Sequence, residues 1–174
     1  MTTIDPAGKH NPRRVPQGYH TASPYLIAAK AGEALEFYRT AFGATVKRRL
    51  AMPDGKIMHA EMKIGDSIVM LADEFPSHQA FGPEHFGGSP ASVVLYVENA
   101  DTLYARALEA GATSLRPMAD QPFGDRSGTI LDPFGHRWTL MSHIQDISDE
   151  EIERRFAEMM GGLGNPGATD GTTT

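Results

Sequence analysis

Two side chains able to exchange protons, His59 and Glu61, lie two positions apart in a segment with the alternating pattern of a β-strand. Because successive strand residues point to opposite faces, they are predicted to share one face with Ile57 and Lys63. The other face is predicted to be apolar and to comprise Met58, Ala60, Met62 and Ile64. A histidine beside a carboxylate is suited to acid/base chemistry or to hydrogen bonding with a ligand. The alternative is a solvated face on which Glu61 pairs with Lys63.

The same pair contains two ligand types that a divalent cation accepts, an imidazole nitrogen and a carboxylate oxygen. A metal site would need at least one further ligand. The candidates elsewhere in the chain are His136, His143, Asp73 and Glu74. No motif places any of them next to the pair, so the sequence leaves catalytic residues unassigned.

A third candidate is the glycine-containing segment around Gly124, Asp125 and Arg126, which follows Phe123. A glycine loop can hold an aromatic ring and a guanidinium over a ligand, and arginine binds carboxylates or phosphonates with two parallel hydrogen bonds. We therefore take Phe123 and Arg126 as candidate binding residues. The alternative is a turn in which Asp125 pairs with Arg126.

Composition excludes several classes of function. The 174 residues contain no cysteine, which excludes disulfides, thiolate metal sites, iron–sulfur clusters and a cysteine nucleophile. The formal net charge of −6 disfavours nucleic acid as a partner. The sequence also lacks a membrane-length apolar run and the apolar segment of a signal peptide. We therefore expect a cytoplasmic protein that binds neither membranes nor nucleic acids.

The elements that must position these residues occur twice along the chain. Helices are predicted over 31–42 and 100–110, and a glycine follows each one. Leu35, Gly43 and Thr45 recur at equal spacing as Leu103, Gly111 and Thr113. Strands are predicted over 23–29, 45–51, 56–64 and 67–72, and again over 91–97, 113–117, 127–131 and 136–142. The repeated order predicts a duplicated βαβββ module.

The segments outside the two modules are polar or rich in glycine and proline. In the final stretch, Ser148 and Glu151 have the spacing of a capping box at a helix start. The predicted organisation is a flexible segment over 1–18, modules over 19–74 and 91–143, a connector over 75–90, a C-terminal helix over 144–164 and a flexible tail over 165–174. The aromatic residues of the connector suit a lid over a ligand or a linker with a few anchored rings.

Over residues 20–143 this pattern resembles the vicinal oxygen chelate superfamily, which includes glyoxalase I, extradiol dioxygenases and bleomycin-resistance proteins. The stretches that carry the likeness to its PhnB-like branch are 36–38, 41–44, 58–61, 65–67, 124–126 and 132–138. The resemblance implies an α+β fold in which two βαβββ modules form a curved, mostly antiparallel sheet around a cup, followed here by a C-terminal helix. In that fold the face carrying His59 and Glu61 is the concave side that holds ligands.

Metal-binding members of the superfamily take ligands from the first and last strand of each module, as His, Gln or Glu. The matching positions here are Ser23, Met70, Ser92 and Thr139. The resemblance therefore implies that the usual metal quartet is absent and that no metal cofactor is bound. The four residues remain candidates for contact with a ligand.

The leading hypothesis is a metal-independent small-molecule binder of the resistance or sequestration type, with Ser23, His59, Glu61, Met70, Ser92, Phe123, Arg126 and Thr139 as candidate binding residues. One alternative is a divalent-metal-dependent glyoxalase-like lyase or isomerase, or a dioxygenase, that uses other ligands such as His59 and Glu61. Another is an interaction module with a sealed cavity. We expect a homodimer, with the cup completed within one chain or by its partner.

Overall fold

The computed structural model describes residues 13–163 and contains the βαβββ order twice. The first module comprises β1 (Tyr25–Ala28), α1 (Ala31–Phe42), β2 (Thr45–Ala51), β3 (Ile57–Ile64) and β4 (Ser67–Asp73). The second comprises β5 (Ser92–Tyr96), α2 (Ala100–Glu109), β6 (Thr113–Asp120), β7 (Asp125–Leu131) and β8 (Arg137–His143). A C-terminal helix, α3 (Asp149–Leu163), follows. The predicted fold class is confirmed, whereas most of the predicted flexible N-terminal segment and the whole of the tail fall outside the described residues.

Each module forms its own four-stranded sheet, in the order β1-β4-β3-β2 and β5-β8-β7-β6. β1 runs parallel to β4 and β5 parallel to β8, while the other neighbours are antiparallel. The helices α1 and α2 contact each other and pack on one face of the sheets. We call the face that the helices leave uncovered the open face of each sheet.

The two modules are joined by the carboxylate of Asp132, which is only 3% exposed. One of its oxygens accepts hydrogen bonds from Tyr38 Oη in α1 at 2.7 Å and from Trp138 Nε1 in β8 at 2.8 Å. The other accepts the backbone N–H groups of Phe134 and His136, each at 2.9 Å. A buried carboxylate needs such partners to offset its lost hydration, so this turn fixes a helix of one module against a strand of the other.

A second buried carboxylate, that of Asp73, shapes the first sheet. It accepts a hydrogen bond of 2.8 Å from the backbone N–H of Ala31, at the start of α1. It accepts another, of 2.6 Å, from the backbone N–H of Ile57, at the start of β3. In the pairing of β2 with β3 the register shifts there, because Leu50 lies opposite His59 and Ala51 opposite Ile57. Met58 is therefore the extra residue of a β-bulge.

The bulge corrects the predicted faces of β3. Ile57 was expected beside His59 and Glu61, but it is fully buried in the core. Met58 was expected in the core, but it is 56% exposed. Strict alternation fails at the extra residue and holds again from His59 onward, where Ala60 and Met62 are buried.

The C-terminal helix begins with half of the predicted capping box. Ser148 Oγ accepts the backbone N–H of Glu151 at 3.3 Å, while the Glu151 carboxylate binds Arg154 and Arg155 instead of returning the bond. The large apolar side chains exposed on this helix are Phe156, Met159 and Met160. Among the described residues, no helix is long and apolar enough to cross a membrane.

Replacing Asp132 with alanine should lower the free energy of unfolding by at least about 3 kcal/mol, because four donors lose a buried acceptor and each unsatisfied donor costs about 1–3 kcal/mol. Urea denaturation followed by circular dichroism measures this loss. Asp54→Ala, in an exposed turn where the carboxylate binds only the backbone of Lys56, is the matched control. A loss below about 1 kcal/mol in Asp132→Ala would show that this carboxylate does not hold the modules together.

Candidate functional site

The open face of the first sheet carries a row of four side chains from four strands. The register places Tyr25 beside Met70, Met70 beside Glu61, and Glu61 beside Arg48. Cross-strand partners point to the same face, so β1, β4, β3 and β2 each contribute one group. This row brings two predicted site residues, Glu61 and Met70, next to each other.

Glu61 is the charged centre of this face, although the residue is only 5% exposed. It accepts hydrogen bonds from the hydroxyl of Tyr19, from Arg48 Nη1 at 3.2 Å and from His59 Nε2 at 3.1 Å. The bond from Tyr19 does most to lower the pKa of Glu61, and His59 and Arg48 act in the same direction against the opposing effect of burial. Glu61 is therefore held as a carboxylate.

His59 links this carboxylate to an aromatic ring. Its Nε2 faces Glu61, while its Nδ1 lies 3.2 Å from the hydroxyl of Tyr25, whose ring centre is 5.7 Å from the imidazole. With Nε2–H donating to Glu61, Nδ1 accepts the Tyr25 hydroxyl, so a neutral imidazole satisfies both contacts. A chain of hydrogen bonds therefore runs from Glu61 through His59 to Tyr25, which is 50% exposed.

A cavity of about 450 Å³ adjoins the exposed end of this chain. Tyr25 and Ile27 form one wall, and Phe75 and His78 of the connector form another. Met52, Met58, Ala72, Ser77 and Ala80 complete the lining. The bulge on β3 is what turns Met58 out of the core and into this cavity, which opens to solvent and is not sealed.

The open face of the second sheet has a polar network of its own. Asp125, only 4% exposed, accepts Tyr96 Oη at 2.7 Å and His143 Nδ1 at 2.7 Å. The other nitrogen of His143, Nε2, lies 3.0 Å from a carboxylate oxygen of Asp146. Both ring nitrogens can donate only when the imidazole is protonated. The two aspartates, Asp125 more strongly, accordingly raise the pKa of His143.

Three predicted site residues, Ser92, Phe123 and Thr139, lie near this network. Thr139 Oγ1 is 3.2 Å from the hydroxyls of Ser92 and of Thr129. Thr139 and Phe123 also line a cavity of about 240 Å³ together with Arg116, Pro117, Gln121, Ser127, Gly128, Thr129 and Met141. The next residue, Gly124, has a φ of +87°, and an added Cβ there would lie 2.2 Å from the carbonyl oxygen of Gln145.

Arg126 and Ser23 do not join these groups. Arg126 pairs with Asp101 on α2 at 2.7 Å and with Asp120 at 2.8 Å, on the face of β7 opposite that of Asp125. Its guanidinium is therefore engaged by two carboxylates and is not poised over a ligand. Ser23 is half-buried and precedes β1. No hydrogen bond between described residues joins the clusters of the two sheets.

The residues present do not fit the divalent metal that the fold implies. Ser23, Met70, Ser92 and Thr139 offer neutral hydroxyls and a thioether, which are poor ligands for a hard or borderline dication. At Glu61 the guanidinium of Arg48 already occupies one oxygen and opposes a second positive charge. Within residues 13–163, no group of three or more His, Asp or Glu side chains is placed to hold a metal ion.

Four polar side chains of these clusters were not among the site residues predicted from the sequence, namely Tyr19, Tyr25, Arg48 and Tyr96. The only signal for Tyr25 was strand parity, which puts it on the face of Met70 once the parallel register is known. Arg48 lies on the edge strand β2 and binds Glu61 across the sheet, a pairing that no spacing in the sequence indicates. No spacing in the sequence links Tyr19 to Glu61.

Comparison with known proteins places this chain in a family. A sequence model of the Glyoxalase/Bleomycin resistance protein/Dioxygenase superfamily matches residues 19–140. An uncharacterized protein of Mycobacterium tuberculosis is 39% identical over 134 residues, which cover 75% of this chain and 79% of that protein. The chain therefore belongs to the glyoxalase/bleomycin resistance/dioxygenase superfamily.

Solved structures agree with this assignment. The crystal structure of a gene product from Arabidopsis thaliana matches with a TM-score of 0.57 and 26% identity, over 70% of this chain and 97% of that one. The PhnB protein of Bacillus cereus matches with a TM-score of 0.56 and 22% identity, over 71% and 99%. The second likeness, at 22% identity, concerns the fold alone.

The carboxylates around His143 should be visible in its titration by NMR. We expect its pKa to lie above the usual value of about 6.5 and to fall in Asp125→Asn, with a smaller fall in Asp146→Asn. Because folding raises the pKa of His143, its pairing with the two aspartates stabilises the folded state. This contribution is complete below about pH 6.5 and is lost as the pH rises through the raised pKa. Asp54→Asn is the control and should leave the His143 curve unchanged. An unaltered curve in Asp125→Asn would contradict the pairing.

Proposed function

We propose that this member of the superfamily binds a small organic molecule on the open face of its first sheet, as a resistance or sequestration protein that does not use the metal quartet. The observation that carries the proposal is the cavity of about 450 Å³ beside Tyr25, with the hydrogen-bonded chain from Tyr25 through His59 to Glu61 at its edge. A largely apolar cavity with a few convergent polar groups is the common form of a ligand site.

The lining supports a ligand with an apolar or aromatic body and one polar group. Met52, Met58 and Phe75 supply polarizable and aromatic walls, and methionine side chains adapt to ligands of different shape. The side chains of Tyr25, Ser77 and His78 are the groups in this lining that can exchange hydrogen bonds with a bound molecule, while both ring nitrogens of His59 are engaged by Glu61 and Tyr25. Glu61 is buried under three donors, so it acts by orienting His59 and not by touching the ligand.

Thermal-shift screening against a library of metabolites and antibiotics would identify a ligand, and calorimetry would then measure its affinity. We expect Tyr25→Phe to weaken binding by about 1–3 kcal/mol, the cost of a buried hydrogen bond. His59→Ala should weaken it less, because it removes only the group that orients the Tyr25 hydroxyl, and Glu61→Gln, which keeps the shape of the side chain, should have the smallest effect. Glu36→Ala, on the exposed surface of α1, is the matched control.

Unchanged affinity in both His59→Ala and Tyr25→Phe would place the ligand elsewhere and overturn the proposal. Elemental analysis of protein purified without a histidine tag is a second test. One tightly bound transition metal per chain would contradict a metal-independent site and favour the glyoxalase-like alternative.

We further propose that a second copy of the chain covers the open faces. Large apolar or aromatic side chains stand exposed on both sheets, including Leu50 at 54%, Val94 at 48% and Tyr96 at 63%. Exposed patches of this kind are typical of protein contacts or ligand sites. The helix α3 exposes Phe156 and Met159 in addition, which supplies further apolar surface for a contact between copies.

Light scattering at micromolar concentration should give twice the mass of one chain. Val94→Glu places a charge on the open face of the second sheet, away from the core, and should shift the protein towards monomer because a buried unpaired charge is costly. Glu36→Ala should remain dimeric. A monomeric wild-type protein, or a dimer that Val94→Glu does not weaken, would overturn closure by a second copy.

A further inference from the structure

A separate cavity of about 270 Å³ lies at the junction of the two modules. It is bounded by β1, by the residues leading into β5, by the start of β8 and by the connector. Its lining comprises Tyr25, Leu26, Ile27, Phe81, Pro83, Phe86, Ser89, Pro90, Ala91, Val93, His136 and Arg137. None of these residues is acidic, and most are apolar or aromatic.

Arg137, the first residue of β8, supplies the only permanent charge in this lining. Its Nε is buried and has no hydrogen-bond partner, and its guanidinium makes no ion pair with any residue in the range 13–163. Arg126, by contrast, binds two aspartates. A buried donor without an acceptor is costly, so an acceptor supplied from outside the chain would recover that free energy.

The neighbouring imidazole does not provide a second charge. His136 is 8% exposed, and its Nε2 lies 3.1 Å from the carbonyl oxygen of Ile27, to which it donates. Burial lowers the pKa of His136, although Asp132 and the Ile27 carbonyl oppose the shift. The ring is therefore neutral near pH 7, and Arg137 alone sets the electrostatic preference of the cavity.

The aromatic wall is prearranged for a flat molecule. Phe81 stacks on His85 with ring centres 3.9 Å apart, and Phe86 meets Phe81 edge to face at 6.2 Å. Phe86 is 67% exposed, so part of its ring surface is free to cover a ligand. Aromatic rings gain further stabilisation when another ring packs against them.

We propose that the junction cavity binds an anionic aromatic molecule of one or two rings, with its carboxylate accepting hydrogen bonds from Arg137 and its rings packed against Phe81 and Phe86. Arginine recognises carboxylates through parallel N–H donors, and the apolar wall makes those bonds stronger than they would be in water. This site is distinct from the cavity beside His59, and the two adjoin only at Tyr25 and Ile27.

The test compares 1-naphthoate with the uncharged 1-naphthamide, two probes of nearly equal shape, by titration of the ¹⁵N-labelled protein. In the wild type, naphthoate should bind about tenfold or more tightly than naphthamide. Arg137→Gln should abolish that preference, and Arg49→Gln, at an exposed arginine on β2, should preserve it. Phe86→Ala should weaken both probes by a similar factor.

Equal affinity for the two probes in the wild type, or a preference that survives in Arg137→Gln, would overturn the inference. If Arg137→Gln does not fold, the chemical shift of the Arg137 Nε–H group in the wild type is the alternative readout. It should change when naphthoate is added and stay constant when naphthamide is added. Loss of naphthoate binding in His59→Ala would place the anion in the first cavity, which contradicts this inference and leaves the proposed function standing.

Discussion

The architecture depends on one buried carboxylate, that of Asp132. Its four hydrogen bonds tie Tyr38 of the first helix to Trp138 of the second sheet. Burial and the nearby Asp132 charge raise the pKa of Tyr38 well above its usual value, so this phenol stays protonated and remains a donor. Around this link Phe42 packs on Trp138 with ring centres 4.8 Å apart. Because both helices pack on the same side of the sheets in this shared core, the opposite face of each sheet stays uncovered.

Each of those uncovered faces carries a hydrogen-bonded polar cluster. Glu61 in the first sheet and Asp125 in the second each have a histidine and a tyrosine as hydrogen-bond partners. The two clusters differ in net charge. The donors on Glu61 include the positive charge of Arg48, whereas His143 lies between two carboxylates. The sheets therefore offer unlike surfaces to a ligand or to a second copy.

The sequence predicted the helices and the duplicated order well, because apolar spacing and the glycine after α1 are local signals. Strand parity put His59 and Glu61 on one face correctly, and it failed at Ile57 and Met58. That failure has a tertiary cause, since the bulge coincides with a hydrogen bond from Ile57 to Asp73, sixteen residues away. The pairing of Arg126 with Asp101 was not predicted for a similar reason, because Asp101 lies on another element. Contacts between distant segments leave no periodic trace in the sequence.

We propose that the open faces, and not the helical surfaces, bind small molecules. Backbone chemical-shift mapping with a fragment library can decide this, because every amide reports at once. Bound fragments should shift amides around Tyr25, Met58 and Phe75, while the exposed side of α1 around Glu36 should stay unchanged. Shifts concentrated on α1 and α2, with none around Tyr25 and Met58, would contradict it.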